Sequence, residues 1–243
     1  MSELHLRLAG VTRLALDGRG PRDGYVFDPH RLALPCWALA LQEHNAGPAL
    51  LVTFDRHLDL AVPKEPTRVP EREAGVLALD AHARLELDVR NIDHIVAAME
   101  AGVVGDVLCF ARARPQGALE SGTYADRRGR AHHIDVAPTL EDWLDGGGRL
   151  AHDGPALLDI DLDCFSSPSD ADPRAILPWP QELVRDALLP EGSADFWGAL
   201  LPKTLALTLA REPYHVGGLL AANRLFEVAA PVLFEELLGG RVP

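Results

Sequence analysis

The chain has little that would make it secreted, membrane-bound or a nucleic-acid binder. Its three cysteines, Cys36, Cys109 and Cys164, are scattered and odd in number, so no disulfide framework is implied. No apolar run approaches the ~20 residues that would span a bilayer. The first residues, Met1 to Arg7, lack the apolar core of a secretory signal, and the expectation is a cytoplasmic protein. There is no excess of positive charge: the formal net charge is −13, which argues against nucleic acid or an anionic membrane as partner and favours encounter with a cationic substrate. No Gly-rich phosphate loop precedes a helix, no internal repeat is visible, and no linker divides the chain. The expectation is one domain over residues 1–243.

What is present suits a large α/β core. Of the 243 residues, 47% are hydrophobic. Residues 49–54 form a continuous apolar run behind Gly47-Pro48, the mark of a strand buried on both faces. Similar strands are expected at about 106–111, 156–163 and 204–210, and a starting strand or hairpin within 4–16. Helices are predicted over 32–43, with Pro35 in the first turn, and over 91–101, with Asn91 as N-cap and Gly102 just past the end. A further helix should run from near Pro180 to Pro190, and another over 217–238 with a break at Pro231. Residues 113–153, polar and rich in Gly and Arg, read as a long loop. Buried strands alternating with helices predict a three-layer α/β/α sandwich with a mostly parallel sheet, and ligands should bind beyond the carboxyl ends of its strands.

Two strands end in unusual chemistry. The first becomes Asp55-Arg56-His57-Leu58-Asp59. The second becomes Asp159-Ile160-Asp161-Leu162-Asp163. Side chains alternate along a strand, so each set of acids shares one face, with Arg56 turned away from the first. Carboxylates gathered at the rim of a buried sheet repel and lose hydration unless a cation sits among them. Divalent ions are the simplest answer. A carboxylate-rich set with one or two imidazoles suits manganese, magnesium or iron better than structural zinc, and there are enough ligands for two ions.

These residues resemble motifs of the arginase/deacetylase superfamily. Asp55-Arg56-His57-Leu58-Asp59 is similar to the arginase Asp-x-His-x-Asp motif, and Asp161-Leu162-Asp163 to its second aspartate pair. Leu207-Thr208-Leu209-Ala210-Arg211-Glu212-Pro213 is similar to the strand whose terminal glutamate holds the substrate guanidinium. Asp161-Leu162-Asp163-Cys164-Phe165 and Ala210-Arg211-Glu212-Pro213-Tyr214 resemble, more narrowly, a formerly uncharacterised branch that includes peptide arginases, which convert arginine to ornithine inside ribosomally made peptides.

The resemblance implies an arginase-like fold and two divalent ions, most simply manganese. Asp55 and Asp161 would bridge them, His57 and Asp59 would each hold one, and Asp163 would complete the second. It also implies a histidine before the first motif; His30, just ahead of the first helix, is preferred to His44 at that helix's far end. The register of the second pair could instead be Asp159 and Asp161; with the later pair, Asp159 supports from behind. Glu212 is expected to pair with the guanidinium, Asn91 to help bind substrate, Asp163 to assist proton transfer to the leaving amine, and His94 to face the mouth as a proton carrier. His82, His132 and His133 remain unassigned.

The implied reaction is hydrolysis of an arginine guanidinium to ornithine and urea, most simply on an arginine-containing peptide drawn in by Glu120, Asp126 and Asp135 of the 113–153 segment. The alternatives are a deacetylase-like amide hydrolase with one zinc, and a non-catalytic binding module. The sequence departs from the family in lacking the usual Gly-Gly-Asp-His-Ser around the first histidine, the Asp-Pro that usually ends the second motif, and the loop-histidine motif that carries protons in arginases.

Overall fold

A computed structural model describes residues 6–64, 68–113, 117–169, 172 and 176–241. In chain order the elements are β1 (Val11–Ala15), β2 (Asp23–Phe27), α1 (Ala33–Glu43), β3 (Ala49–His57), α2 (Val76–Leu85), α3 (His94–Ala101) and β4 (Val104–Ala113). Then come β5 (Gly122–Ala125), β6 (Ala131–Ala137), α4 (Leu140–Asp145), β7 (Ala156–Asp161), β8 (Ser166–Pro168) and β9 (Ile176–Pro178). The chain finishes with α5 (Gln181–Leu188), α6 (Ala194–Leu200), β10 (Thr204–Ala210) and α7 (Leu219–Ala230).

Eight strands form one sheet in the order β1-β2-β10-β7-β3-β4-β6-β5. The interior pairs are parallel, and only the two outermost pairs, β1 with β2 and β5 with β6, are antiparallel. Strand parity sorts the core into two. Leu51, Cys109 and Leu157 join α1, α2 and α3 on one face, while Val52, Leu108, Leu158 and Leu209 join α5, α6 and α7 on the other. This is the three-layer α/β/α arrangement that the buried runs predicted. From β3 the chain moves outward to β4 and β6, then returns to lay β7 on the other side of β3. The crevice between the carboxyl ends of β3 and β7 is therefore a topological switch point, where open α/β sheets bind ligands.

Four expectations need correction. The 113–153 segment is not a loop excursion. It holds β5, β6 and α4, and its Arg-rich middle is a hairpin turn closed on Asp126, whose Oδ1 accepts from the amides of Arg128 and Arg130 at 2.8 Å. The helix expected from residue 91 starts at His94; Asp93 takes the N-cap position, while Asn91 adopts φ 63°. Gly102 ends that helix in the left-handed conformation, as the sequence suggested. β7 stops at Asp161, and residues 162–165 turn as a 3-10 helix, so Asp163 does not continue the strand. α2, α6 and β2 were not anticipated.

Candidate metal centre

Parity places the acids. Asp55, Asp159 and Asp161 share the strand face that looks toward the start of α1 and α3, and all three are buried. Into that face drops His30, from the 3-10 turn His30–Leu32 that leads into α1, with no exposed surface. Its Nδ1 lies 3.6 Å from Asp55 Oδ2, 3.4 Å from Asp59 Oδ2 and 3.3 Å from Asp161 Oδ2. His44, by contrast, folds back on its own helix, Nδ1 to Ala40 O at 3.0 Å.

The other side of the His30 ring is fixed by a polar rung crossing three strands. Nε2 sits 2.8 Å from Asp159 Oδ2. Thr53 and Thr208, in register with Asp159 on β3 and β10, donate their hydroxyls to it at 2.8 Å and 2.5 Å. Trp37 Nε1 on α1 donates in turn to Thr208 Oγ1 at 2.9 Å. A histidine held this way keeps one tautomer and one orientation, with its free nitrogen toward the acids. Asp159 is thus committed behind the ring, and Asp161 and Asp163 face the crevice.

The 3-10 turn after β7 carries Asp163 sideways to His57, whose Nδ1 is 3.1 Å from Asp163 Oδ2. The turn is pinned by Asp161 Oδ1, which accepts from the Asp163 amide at 3.0 Å, and by Arg112, which donates to the Cys164 carbonyl at 2.5 Å. His57 therefore parts from Asp55 and Asp59 and belongs to a second group with Asp163 and His215. In three groups the potential ligand atoms lie within 4.8 Å of one another: His30 with Asp55 and Asp161, His30 with Asp59 and His94, and His57 with Asp163 and His215. His215, half-buried in the turn after β10, was missed by sequence reasoning. Its only sequence signal is its place three residues after Glu212, whose Oε2 lies 3.2 Å from its Nε2.

The electrostatics fit a cation. Burial first, then Asp59, Asp161 and Asp163, push the Asp55 carboxyl well above the usual carboxylate range. Burial and Asp163 do the same to Asp161. Burial lifts Asp59 to about 6 against the pull of His30. Without a positive ion these groups would hold protons, because like charges in low dielectric cannot all ionise. His30 Nδ1, Asp55 Oδ2, Asp163 Oδ2 and His94 Nε2 are buried with no hydrogen-bond partner. Buried polar atoms are rarely left so, and two of these, His30 Nδ1 and Asp55 Oδ2, lie 3.6 Å apart. Oxygen-rich donors with one or two imidazoles suit a hard or borderline divalent ion.

Glu212, two residues past the end of β10, sits at φ 43°, a strained position for a residue with a side chain. Its Oε1 accepts from the His30 amide at 2.6 Å and from Asn91 Nδ2 at 2.5 Å. The two residues expected to bind substrate, Glu212 and Asn91, are thus joined beside the acid crevice. His94 is placed differently from expectation. It is fully buried beneath the cluster, its ring centroid 4.2 Å from that of His30, with Nδ1 2.7 Å from Asn91 O. Burial and the neighbouring His30 hold its pKa down to about 3, and it lies away from the mouth. The acids suggested to attract a basic peptide are largely engaged. Asp126 is buried against Arg130 at 2.7 Å, and Asp135 accepts from Trp143 Nε1 at 2.8 Å. His82, His132 and His133 join none of the three groups among the described residues.

One solved structure similar to this chain is proclavaminate amidino hydrolase from Streptomyces clavuligerus. The TM-score is 0.45 and the identity 15%, over 87% of this chain and 62% of that one. This chain thus spans about three-fifths of its neighbour's length. A likeness of that size says nothing about the reaction. No protein-family description matches the sequence, and no curated protein does. No helix among the described residues is long and apolar enough to cross a membrane.

Proposed function

We propose that this protein is a metal-dependent hydrolase of guanidinium groups that converts an arginine side chain, carried on a peptide, to ornithine with release of urea. One observation supports it above the rest: His30 Nδ1 faces three buried carboxylates at 3.3–3.6 Å, and both it and Asp55 Oδ2 are buried without a hydrogen-bond partner. His30, Asp55, Asp59 and Asp161 would hold one ion. His57, Asp163 and His215 would hold the other. Manganese is the expected metal, from the donor set. When bound, such ions supply the Lewis acidity that makes water a competent nucleophile at neutral pH.

The chain's own groups do the rest. Glu212 keeps Oε1 occupied by the His30 amide and Asn91, which fixes the carboxylate plane; Oε2, 3.2 Å from His215 Nε2, is the oxygen that would receive a guanidinium N–H. Asn91 sets that geometry from the side. Asp163, buried and fixed by the Arg56 amide at 3.2 Å, presents Oδ2 to the crevice and passes a proton to the departing amine. The acidic surface, with a net charge of −13, favours approach of a cationic side chain. A one-zinc amide hydrolase would need only two aspartates and one histidine; the separate His57–Asp163–His215 group favours two ions.

The test is to load the purified protein with manganese and incubate it with free arginine, with arginine-containing peptides and with acetyl-lysine peptides. Mass spectrometry should show loss of CH2N2 from arginine peptides, with matching urea. Deacetylation instead, or no turnover of any substrate, would overturn the reading. Turnover of the free amino acid alone would remove the peptide part of it.

A further inference from the structure

Arg31 follows His30 in the 3-10 turn at the head of α1. It lines a cleft of about 350 Å³ together with Asp28, Asn91, Glu212, Tyr214 and His215. Asp28, the other acid there, is already taken by Arg211 at 2.6 Å. Arg31 Nη1 donates to Asn91 Oδ1 at 2.7 Å and, at 3.4 Å, to the Val89 carbonyl. Its Nε is buried and finds no acceptor. No carboxylate among the described residues comes within ion-pair distance of it. A partly buried guanidinium left with an unmet donor and no counter-charge is poorly compensated until an anion joins it.

The cleft therefore offers two opposite charges joined by a single amide. Asn91 gives Nδ2 to Glu212 and takes Arg31 on Oδ1. A ligand lying along it meets a carboxylate at the crevice end and a guanidinium at the other, the two bridged by the Asn91 side chain. From this arrangement we infer that Arg31 binds the free α-carboxylate of the substrate arginine, so that the reacting residue is the C-terminal residue of its peptide. This rests on the guanidinium-hydrolase reading and narrows its substrate class. An arginine in mid-chain, with its carboxyl group locked in an amide, would leave Arg31 unpaired. Tyr214 and Val89, both exposed on the rim, leave the approach to the cleft open for the residues that precede a terminal arginine.

The test compares four ligands on the manganese-loaded full chain: arginine, argininamide, and a short peptide ending in arginine as the free acid or as the amide. Affinity is read by calorimetry and turnover by urea release. The acids should exceed the matching amides by about ten- to hundredfold, the value of a hydrogen-bonded charge pair. Arg31→Met should collapse that ratio toward one, and Arg31→Lys should restore part of it. Thermal melting of each variant reports whether it has folded. The two acid ligands tell free arginine from the terminal residue of a peptide. Equal affinity of wild type for acids and amides, or an Arg31→Met variant that folds and keeps the preference, would overturn the inference. If no ligand yields urea, the hydrolase reading fails, while the calorimetric ratio still decides the role of Arg31.

Discussion

Asp159 Oδ2 lies 2.8 Å from His30 Nε2, on the side of the ring turned away from the crevice. The contact reconciles opposing effects. Burial works against charge on both partners, yet each favours the charged form of the other: His30 is held well above its ordinary pKa by Asp159, and Asp159 is held below the usual carboxylate range chiefly by His30. When a cation takes His30 Nδ1, the same bond fixes Nε2 as the protonated nitrogen. Asp159→Asn should therefore weaken manganese binding by about ten- to hundredfold, as loss of a carboxylate behind a ligating histidine does. Calorimetric titration would measure it, and unchanged affinity would remove Asp159 from the site's support.

Acidity and stability should be linked in the metal-free chain, with a sign opposite to that of salt-bridged acids. Asp59 is lifted from 3.8 to about 6, and Asp55 and Asp161 are raised with it. The folded state then binds more protons than the unfolded one, so stability falls as pH rises. In chelator, the contribution of these three groups to the urea midpoint should be fully present below the ordinary aspartate pKa. It should decline as pH climbs through about 6 and continue down while the more strongly raised pair ionises. Manganese should reverse the trend near neutrality, since ligands must lose protons to bind it. A midpoint that rises with pH in chelator would contradict the assignment.

Neutralising one member of the cluster should separate stability from binding. Asp161→Asn removes a carboxyl that burial and Asp163 make costly to ionise, so the chelated protein gains on the order of 1 kcal/mol. The same variant should lose the rise in melting temperature that manganese gives the wild type. A variant both less stable without metal and still stabilised by it would mean that Asp161 is merely structural.

The two groups should empty separately. Elemental analysis of the dialysed wild type should give two ions per chain. His215→Ala or His57→Ala should lower this toward one, and His30→Ala should disturb the deeper ion first. A stoichiometry that stays at two in His215→Ala would exclude His215 as a ligand.

Much of the centre was legible because strand parity is a strict code. Leu158, Ile160 and Leu162 against Asp159 and Asp161 fixed which face carried acid, and the apolar run before Asp55 placed that residue at the end of an interior strand. What parity does not encode is where a strand stops. Asp163 keeps the alternating pattern in sequence but leaves the strand through a 3-10 turn, and that departure sends it to His57. His215 was invisible because its approach depends on the turn after β10, whose positive φ at Glu212 has no local signature beyond the following Pro213. The β5–β6 hairpin read as loop because it is polar and carries arginines. Those arginines serve its turn and neighbouring carbonyls, through Asp126 and Glu100.

Glu212 offers a direct kinetic test. Glu212→Gln keeps the side-chain shape but removes the charge that matches a guanidinium. The expected loss in kcat/KM is about ten- to hundredfold. Retention of full activity would move guanidinium recognition elsewhere in the cleft.

Among the described strands β10 comes last in chain order, yet it lies in the interior of the sheet, between β2 and β7. Thr208, which closes the rung behind His30, arrives with it, and so does the turn bearing Glu212 and His215. During translation, β2 and β7 must wait with unmet edges until residues 204–210 emerge. An ion would thus find its full pocket in the nascent polypeptide only after residues 204–210 have been made.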